Sequence, residues 1–331
     1  MNYACSRNGD VVRLTDANAN TAVTVKPSAG NNACELLVRG RNLLHFAGGD
    51  LASFKGGMTG IPFMGPWANR LDEPAFYANG KRYAFDMTLG NVRGDIPIHG
   101  FLTGSAEWPV SWDVFEMKAD NDAAWATSRL EFSKNPLWMR QFPFAHTVEM
   151  TYRLKDGVLE VATEITNHQN EPMPVAIGFH PYFQLSDSPR ADWKLSIGAK
   201  THWLLSAAKI PTGETEPIET QFPDPLNIPF KDYPDLDDVY GDLIRDASGR
   251  ATMTVTGSGS QRIDVLFGPN WRSAVVWGGG ARLPNFVCFE PMAGSTYAMN
   301  LAHKGLYSEL QSIPPNGGIW KESFWVRPIG F

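Results

Sequence analysis

Several short segments of this 331-residue sequence place a polar side chain inside apolar, Gly- or Pro-marked chain. In GIPFMGPWANR, Asn69 and Arg70 close a mostly apolar run. An arginine is costly to bury alone, so it must meet a carboxylate or a ligand. A structural Arg at the end of a core segment is an equal alternative for that segment alone. His99 stands between Ile98 and Gly100, where a satisfied core histidine is the favoured reading. His180 precedes Pro181, which restricts it to extended or turn backbone and ends its strand. An imidazole fixed at a strand end can donate or accept a proton near neutral pH. Glu290 ends the apolar run FVCFE and is followed by Pro291. Apolar surroundings disfavour the charged carboxylate and raise its pKa, which makes it a stronger base. A strand-end ion pair is the alternative. The acidic stretch DLDDVY, with Asp235, Asp237 and Asp238, reads by itself as a solvated turn.

Other chemistries leave no signature. The sequence has no GxxxxGK[ST], GxGxxG or GxSxG, which argues against nucleotide binding and an α/β-hydrolase. No HExxH or close His pair suggests a metal, and no cofactor is expected. Cys5, Cys34 and Cys288 are too few and too scattered for a disulfide framework or a zinc ribbon. A net charge of -6, without a block of one sign, argues against a nucleic-acid partner. No run approaches the roughly 18 apolar residues of a membrane helix, and MNYACSRNGDVVRL lacks a signal-like apolar stretch. A cytoplasmic protein is the expectation, with no membrane partner, as a monomer or homodimer.

The elements that must hold these residues read as strands. HTVEMTY (146–152) and VLEVATEI (158–165) alternate cleanly around Asp156 and Gly157, and so predict one antiparallel hairpin with one buried face. Asn79 and Gly80 predict a second hairpin turn. Further strands are expected at 11–14, 21–25, 35–38, 82–85, 251–255, 262–267, 273–277 and 286–289. No long window keeps a 3.6 period; short helical turns are expected near 50–55 and 233–242. Gly and Pro make up about one residue in six, which supplies the turns of an all-β protein. Residues 210–232, rich in Pro, Thr and Glu, read as a long surface loop. No composition break divides the chain, so residues 1–331 are expected to form a single domain.

Taken together, these motifs resemble the aldose 1-epimerase (galactose mutarotase) family. Its members carry, in this order, an Asn-Arg pair, a His-Gly, a Gly-x-His-Pro-Tyr-Phe and a Glu-Pro. Here they are Asn69 and Arg70, His99 and Gly100, the segment Gly178 to Phe183, and Glu290 with Pro291. Between the last two the family has a Pro-Thr-Gly segment, matched by Pro211, Thr212 and Gly213, and an Asp three residues before an aromatic, matched by Asp237 and Tyr240. Asp238 competes with Asp237 for that role. The resemblance runs from about residue 40 to the C-terminus.

The resemblance implies a large antiparallel β-supersandwich with an open cleft on one sheet. It implies interconversion of the α and β anomers of a hexose. By the family's pattern Glu290 is the base at the anomeric hydroxyl, and His180 is the acid at the ring oxygen. His180 would then be protonated at rest, helped by a carboxylate neighbour. His99 would assist at the ring oxygen. Asn69, Arg70, Asp237 and Tyr182 would bind the sugar, and Trp67 or Trp277 would cover its apolar face. The Gln that the family often places on a strand ahead of the catalytic Glu has no counterpart here, and residues 108–140 depart from the better-known members.

Three other functions compete. A hexose-6-phosphate 1-epimerase needs extra cations for the phosphate, and Arg93, Arg140 and Arg282 lie near motif segments. A non-catalytic carbohydrate-binding protein of the same fold would keep the aromatics and lose the acid or the base. A glycoside hydrolase or lyase would use Asp237 and Glu290 as paired carboxylates.

Overall fold

A computed structural model describes every residue except Met1, residues 89–91, Ala281, Arg282 and Pro284. Strands make up 48% of the chain, and the described residues include two short α-helices, Pro136–Gln141 and Ala298–His303.

Both hairpins expected from the turn chemistry form. His146–Lys155 pairs with Val158–Asn167 in antiparallel register around Asp156 and Gly157, at φ 50° and 74°. Ala75–Ala78 pairs with Lys81–Ala84 around Asn79 and Gly80, at φ 52° and 72°. Two successive positive φ values give a turn whose twist matches that of the strands it joins.

Three larger sheets build the molecule. Residues 3–42 form a five-stranded meander. A nine-stranded sheet runs, in spatial order, from Asp113–Ala119 through the 146–167 hairpin and the long Ile319–Ile329 strand to Ile228–Pro229. The eight-stranded sheet carries the motifs. Its order is Pro211–Pro217, Ala199–Leu205, Asp237–Leu243, Ser273–Trp277, Val287–Met292, Gly178–Phe179 and Phe63–Met64, with Tyr182–Phe183 also pairing with Val287–Met292. It packs on the nine-stranded sheet through rings such as Phe179 against Phe324, 4.9 Å apart. The architecture is the all-β supersandwich that the motif resemblance implies.

Two local expectations are corrected. Near 233–242 the chain forms the strand Asp237–Leu243, because Val239 and Tyr240 are both buried between paired neighbours. Residues 210–232 are not simply a loop: Pro211–Pro217 pairs with Ala199–Leu205 as an edge strand. Its prolines stand at its two ends, where a missing N–H costs a sheet edge least. The turn near 50–55 does form, with the Ser53 and Phe54 N–H groups donating to Asp50 O. No helix among the described residues is long and apolar enough to cross a membrane.

One core residue makes the fold acid-sensitive. His146 is 2% exposed, stacks on Phe132 at 4.3 Å, and its Nδ1–H donates to Phe144 O at 2.6 Å. Burial pushes its pKa down to about 4. The unfolded chain therefore binds the extra proton first, and stability falls as pH drops from the ordinary 6.5 through about 4. The loss from this residue is about 3 kcal/mol over that window. Unfolding free energies from urea titration at pH 7 and pH 4 should show wild type losing about 3 kcal/mol more than His146→Gln at the acid end.

Candidate active site

Strand alternation puts the motif carboxylates on one sheet face. Asp237 is paired with Trp277, Trp277 with Cys288, and Cys288 with Tyr182. These four form one lateral row. Glu290, two residues beyond Cys288, points to the same side, because successive strand residues alternate faces. Asp238 points to the other side. It meets His202 Nε2 at 3.4 Å and Gln221 Nε2 at 3.3 Å, with Lys209 Nζ at 3.8 Å. Of the two aspartates, Asp237 is the one on the face that carries Glu290.

Arg70 meets Asp237 in a two-point pair, with Nη2 to Oδ2 at 2.9 Å and Nη1 to Oδ1 at 3.3 Å. The side chains are 7% and 16% exposed, so the pair is largely withdrawn from water. Asn69 holds the guanidinium from behind, its Oδ1 accepting from Arg70 Nη1 at 3.1 Å and from the Arg70 N–H at 2.8 Å. Asn69 itself sits at φ 56°, in the left-handed region that Asn tolerates better than most residues.

His99 is tied to the same segment. The Asn69 N–H donates to His99 Nδ1 at 3.2 Å, and the His99 N–H donates to Asn69 O at 2.9 Å. Nδ1 is therefore an acceptor, and the ring proton lies on Nε2. Burial, then repulsion from His180 whenever that ring is protonated and from the Arg70 cation, drives the His99 pKa well down, so the ring is neutral. The glycine after it is required by space. Gly100 lies at φ 59°, and a Cβ there would stand 2.0 Å from Gly65 O.

His180 leaves the Gly178–Phe179 strand with its N–H donating to Pro62 O at 3.0 Å. Its ring stacks on Tyr182 at 4.7 Å and meets Trp277 edge-on at 5.4 Å. Its Nε2 lies 3.0 Å from Glu290 Oε1. Both side chains are more than nine-tenths buried, and Glu290 Oε2 has no partner among the described residues. The His99 ring stands edge-on to His180 at 5.2 Å.

The electrostatics correct one expectation. Burial, then Arg70 nearby, pushes the His180 pKa down to about 3, against a partly opposing contact with its own backbone carbonyl. Burial, then the negative field of Asp237, raises Glu290 well above the usual carboxylate range. Both groups are driven toward their neutral forms, so His180 is not protonated at rest. The pair as a whole keeps zero net charge and one proton that can sit on either side of the 3.0 Å contact.

Two aromatic expectations separate here. Trp277 borders His180, whereas Trp67 packs inward against Phe85 at 4.4 Å and Phe101 at 5.8 Å. Sequence reading missed Phe286, Met58 and His45. Phe286 and Met58 pack with Tyr182 and Trp277, and His45 stacks on Phe286 at 5.3 Å. The run of glycines after Trp277 was the available signal, since it marks the end of a strand at the cleft. No Gln lies on Ser273–Trp277, the strand beside Glu290. A cavity of about 210 Å³ opens over Arg70, walled by Arg93, Ile96 and Lys209. Arg140 instead belongs to the short helix Pro136–Gln141 and acts on the charge of Asp86; Arg282 lies outside the described residues. Asp237 and Glu290 are not a free pair of carboxylates, because Arg70 clamps the first and His180 holds the second.

A sequence profile of the aldose 1-epimerase family matches residues 42–310. Among solved structures, a galactose mutarotase-like protein from Clostridium acetobutylicum superposes with a TM-score of 0.84 at 19% identity, covering 99% of this chain and 98% of that one. A galactose 1-epimerase from Lactobacillus acidophilus gives 0.74 at 15% identity, over 100% and 99% of the two chains. A GalM/aldose epimerase homologue from C. elegans gives 0.72 at 16%, over 98% of each. At these identities the superpositions establish the shared fold, and the profile match establishes the lineage: the chain belongs to the aldose 1-epimerase family.

Proposed function

We propose that this chain, acting as one unit over residues 1–331, is a mutarotase that interconverts the α and β anomers of a hexose, with Glu290 as base and His180 as acid. The observation that carries the reading is the buried 3.0 Å contact between His180 Nε2 and Glu290 Oε1. In a cyclic aldose, O1 and the ring oxygen O5 are bonded to the same carbon. An acid and a base that serve both at once must therefore be close neighbours.

Glu290 takes the proton from the O1 hydroxyl while His180 gives one to O5, and the C1–O5 bond breaks. The aldehyde turns about C1–C2, O5 attacks the other face of C1, and both protons return. At rest the shared proton lies on Glu290; it first crosses the 3.0 Å contact to His180, and ring opening then converts this charged pair (Glu290 carboxylate, His180 imidazolium) back into the neutral pair, with closure reversing it. The net charge of the pair stays at zero throughout, which suits a site shielded from solvent. His99, with its proton on Nε2, offers a second hydrogen bond toward O5. Arg70, Asp237 and Asn69 hold ring hydroxyls, and Tyr182 backs the imidazole. Each proton-transfer group supplies roughly 10²–10⁴-fold.

The cations Arg93 and Lys209 at the cavity over Arg70 favour a second reading, in which the hexose carries a phosphate. Polarimetric rates on glucose, galactose and glucose 6-phosphate test both. Acceleration of the free sugars supports the first reading, and acceleration confined to the phosphate ester the second. No acceleration of any of them defeats both.

The two aspartates give an internal control. Asp237→Asn removes the charge that Arg70 needs and should raise KM about tenfold or more, the worth of one hydrogen bond to a charged group. It should also cost about 3 kcal/mol of stability, since a buried cation is left unpaired. Asp238→Asn should change KM by less than about twofold, since Asp238 faces His202 across the sheet. Initial-rate kinetics and urea titration on the two variants check this.

A further inference from the structure

A polar cavity of about 270 Å³ opens on the eight-stranded sheet away from the His180 and Glu290 pair. Gly241 lies in its lining, four residues along the strand from Asp237 and so about 13 Å away. Thr201, paired with Gly241, and Trp203 wall it on one side, and Arg272 on another. Tyr307 and Glu309 complete the lining from the C-terminal segment.

Arg272 gives the cavity its chemistry. Its Nε is buried and has no hydrogen-bond partner among the described residues, and its guanidinium makes no ion pair among them. A guanidinium withdrawn from water normally meets a carboxylate, a carbonyl or a ligand oxygen. Nearby Arg245 follows that rule, donating to the carbonyl oxygens of Gly249 at 3.1 Å, Gly268 at 3.1 Å and Trp271 at 2.7 Å. Two more polar groups converge in the same cavity. A Cβ on Gly241 would lie 2.9 Å from Thr201 Oγ1 and 3.1 Å from Trp203 Nε1, so the bare glycine leaves open a point within reach of both. The indole N–H is a donor only, and it faces the cavity ready for an acceptor.

Charge decides the ligand class. Two carboxylates, Asp242 and Glu309, stand exposed at the rim. Burial, then the negative charge of Glu309, raises the Tyr307 hydroxyl pKa, and the charge of Arg272 opposes the rise. Cation and carboxylate therefore act on one hydroxyl of the lining. A bare anion would meet two carboxylates for one guanidinium. A bare cation would be repelled by the unpaired guanidinium. A molecule with an oxyanion at one end and an ammonium at the other satisfies both.

We propose that this cavity binds a small zwitterion, a free α-amino acid, with its carboxylate on Arg272 and the Trp203 N–H and its ammonium toward Asp242 and Glu309. The site does not depend on the mutarotase reading.

Calorimetric titration of the wild-type chain with L-alanine, acetate, ethylamine and inorganic phosphate tests it. L-Alanine should bind about tenfold more tightly than acetate or ethylamine, each of which carries one of its two charges. Phosphate should bind no better than acetate. Arg272→Gln should weaken L-alanine about tenfold, the worth of one hydrogen bond to a charged group, with a urea midpoint that shows the variant is folded. Trp203→Phe keeps a ring and removes the N–H, and should weaken L-alanine about fivefold. Asp242→Asn combined with Glu309→Gln should bring L-alanine down to the affinity of acetate. Absence of L-alanine binding overturns the proposal, as does L-alanine binding no tighter than acetate or ethylamine. Full L-alanine affinity in both Arg272→Gln and Trp203→Phe, or phosphate binding tighter than L-alanine, overturns it as well.

Discussion

Glu290→Gln should lower the rate of mutarotation by about 10²–10⁴-fold, the worth of one positioned proton-transfer group, with the sugar still bound. The side chain is 1% exposed, one oxygen is held by His180 Nε2, and the other has no partner among the described residues. That free oxygen is the position from which a carboxylate can take a hydroxyl proton. Gln keeps the shape and removes the basicity. The Arg70 and Asp237 clamp lies elsewhere on the face, so the dissociation constant should move little while kcat falls. The variant should also fold. Burial raises the Glu290 pKa, so the native state prefers the protonated carboxyl, and ionising it costs stability as pH rises from the unfolded value toward the folded one. An uncharged Gln escapes that cost, and its stability relative to wild type should improve as pH rises above the ordinary carboxylate range. Polarimetry on freshly dissolved α-glucose reads the first effect and urea titration the second. A rate close to wild type would remove Glu290 from the chemistry.

How much of this was legible beforehand depends on which physical rule spoke. Turn chemistry was local and dependable: Asn79 with Gly80 and Asp156 with Gly157 made the hairpins that their positive φ preference demands. Strand alternation was equally readable in 146–167, where one face is buried. It failed in DLDDVY, because two acidic neighbours look like a turn. The stretch becomes a strand only when Arg70 takes Asp237 on one face and His202 takes Asp238 on the other. Those partners are 167 and 36 residues away, beyond any local rule. The proton balance was hidden for a similar reason. A carboxylate near His180 was foreseen and was expected to raise its pKa. Burial of both groups, and the cation of Arg70 nearby, reverse the sign.

His180→Asn should cost as much as Glu290→Gln, and the double variant should cost no more than the worse single one. If the two residues acted separately, their losses would multiply. They share one proton across 3.0 Å, and groups that work as a unit are strongly non-additive once either is gone. The reason can be followed atom by atom. Asn is too short to place a nitrogen where Nε2 stands, and it cannot carry a proton to O5. It also leaves Glu290 buried without its partner, so the carboxyl stays protonated and the base is lost together with the acid. The residual rate of His180→Asn should therefore climb with pH, as the raised Glu290 pKa is passed and the carboxylate forms. Wild type should show no such climb across neutral pH. Its acid limb should fall well below the ordinary histidine value of 6.5, because His180 is pushed down to about 3 and the net-neutral pair gains its extra proton only in strong acid. Rates of wild type, both single variants and the double variant, measured from pH 4 to pH 9, supply every comparison. A double variant slower than either single by the product of their separate losses would show two independent groups, and the shared proton would have to be abandoned.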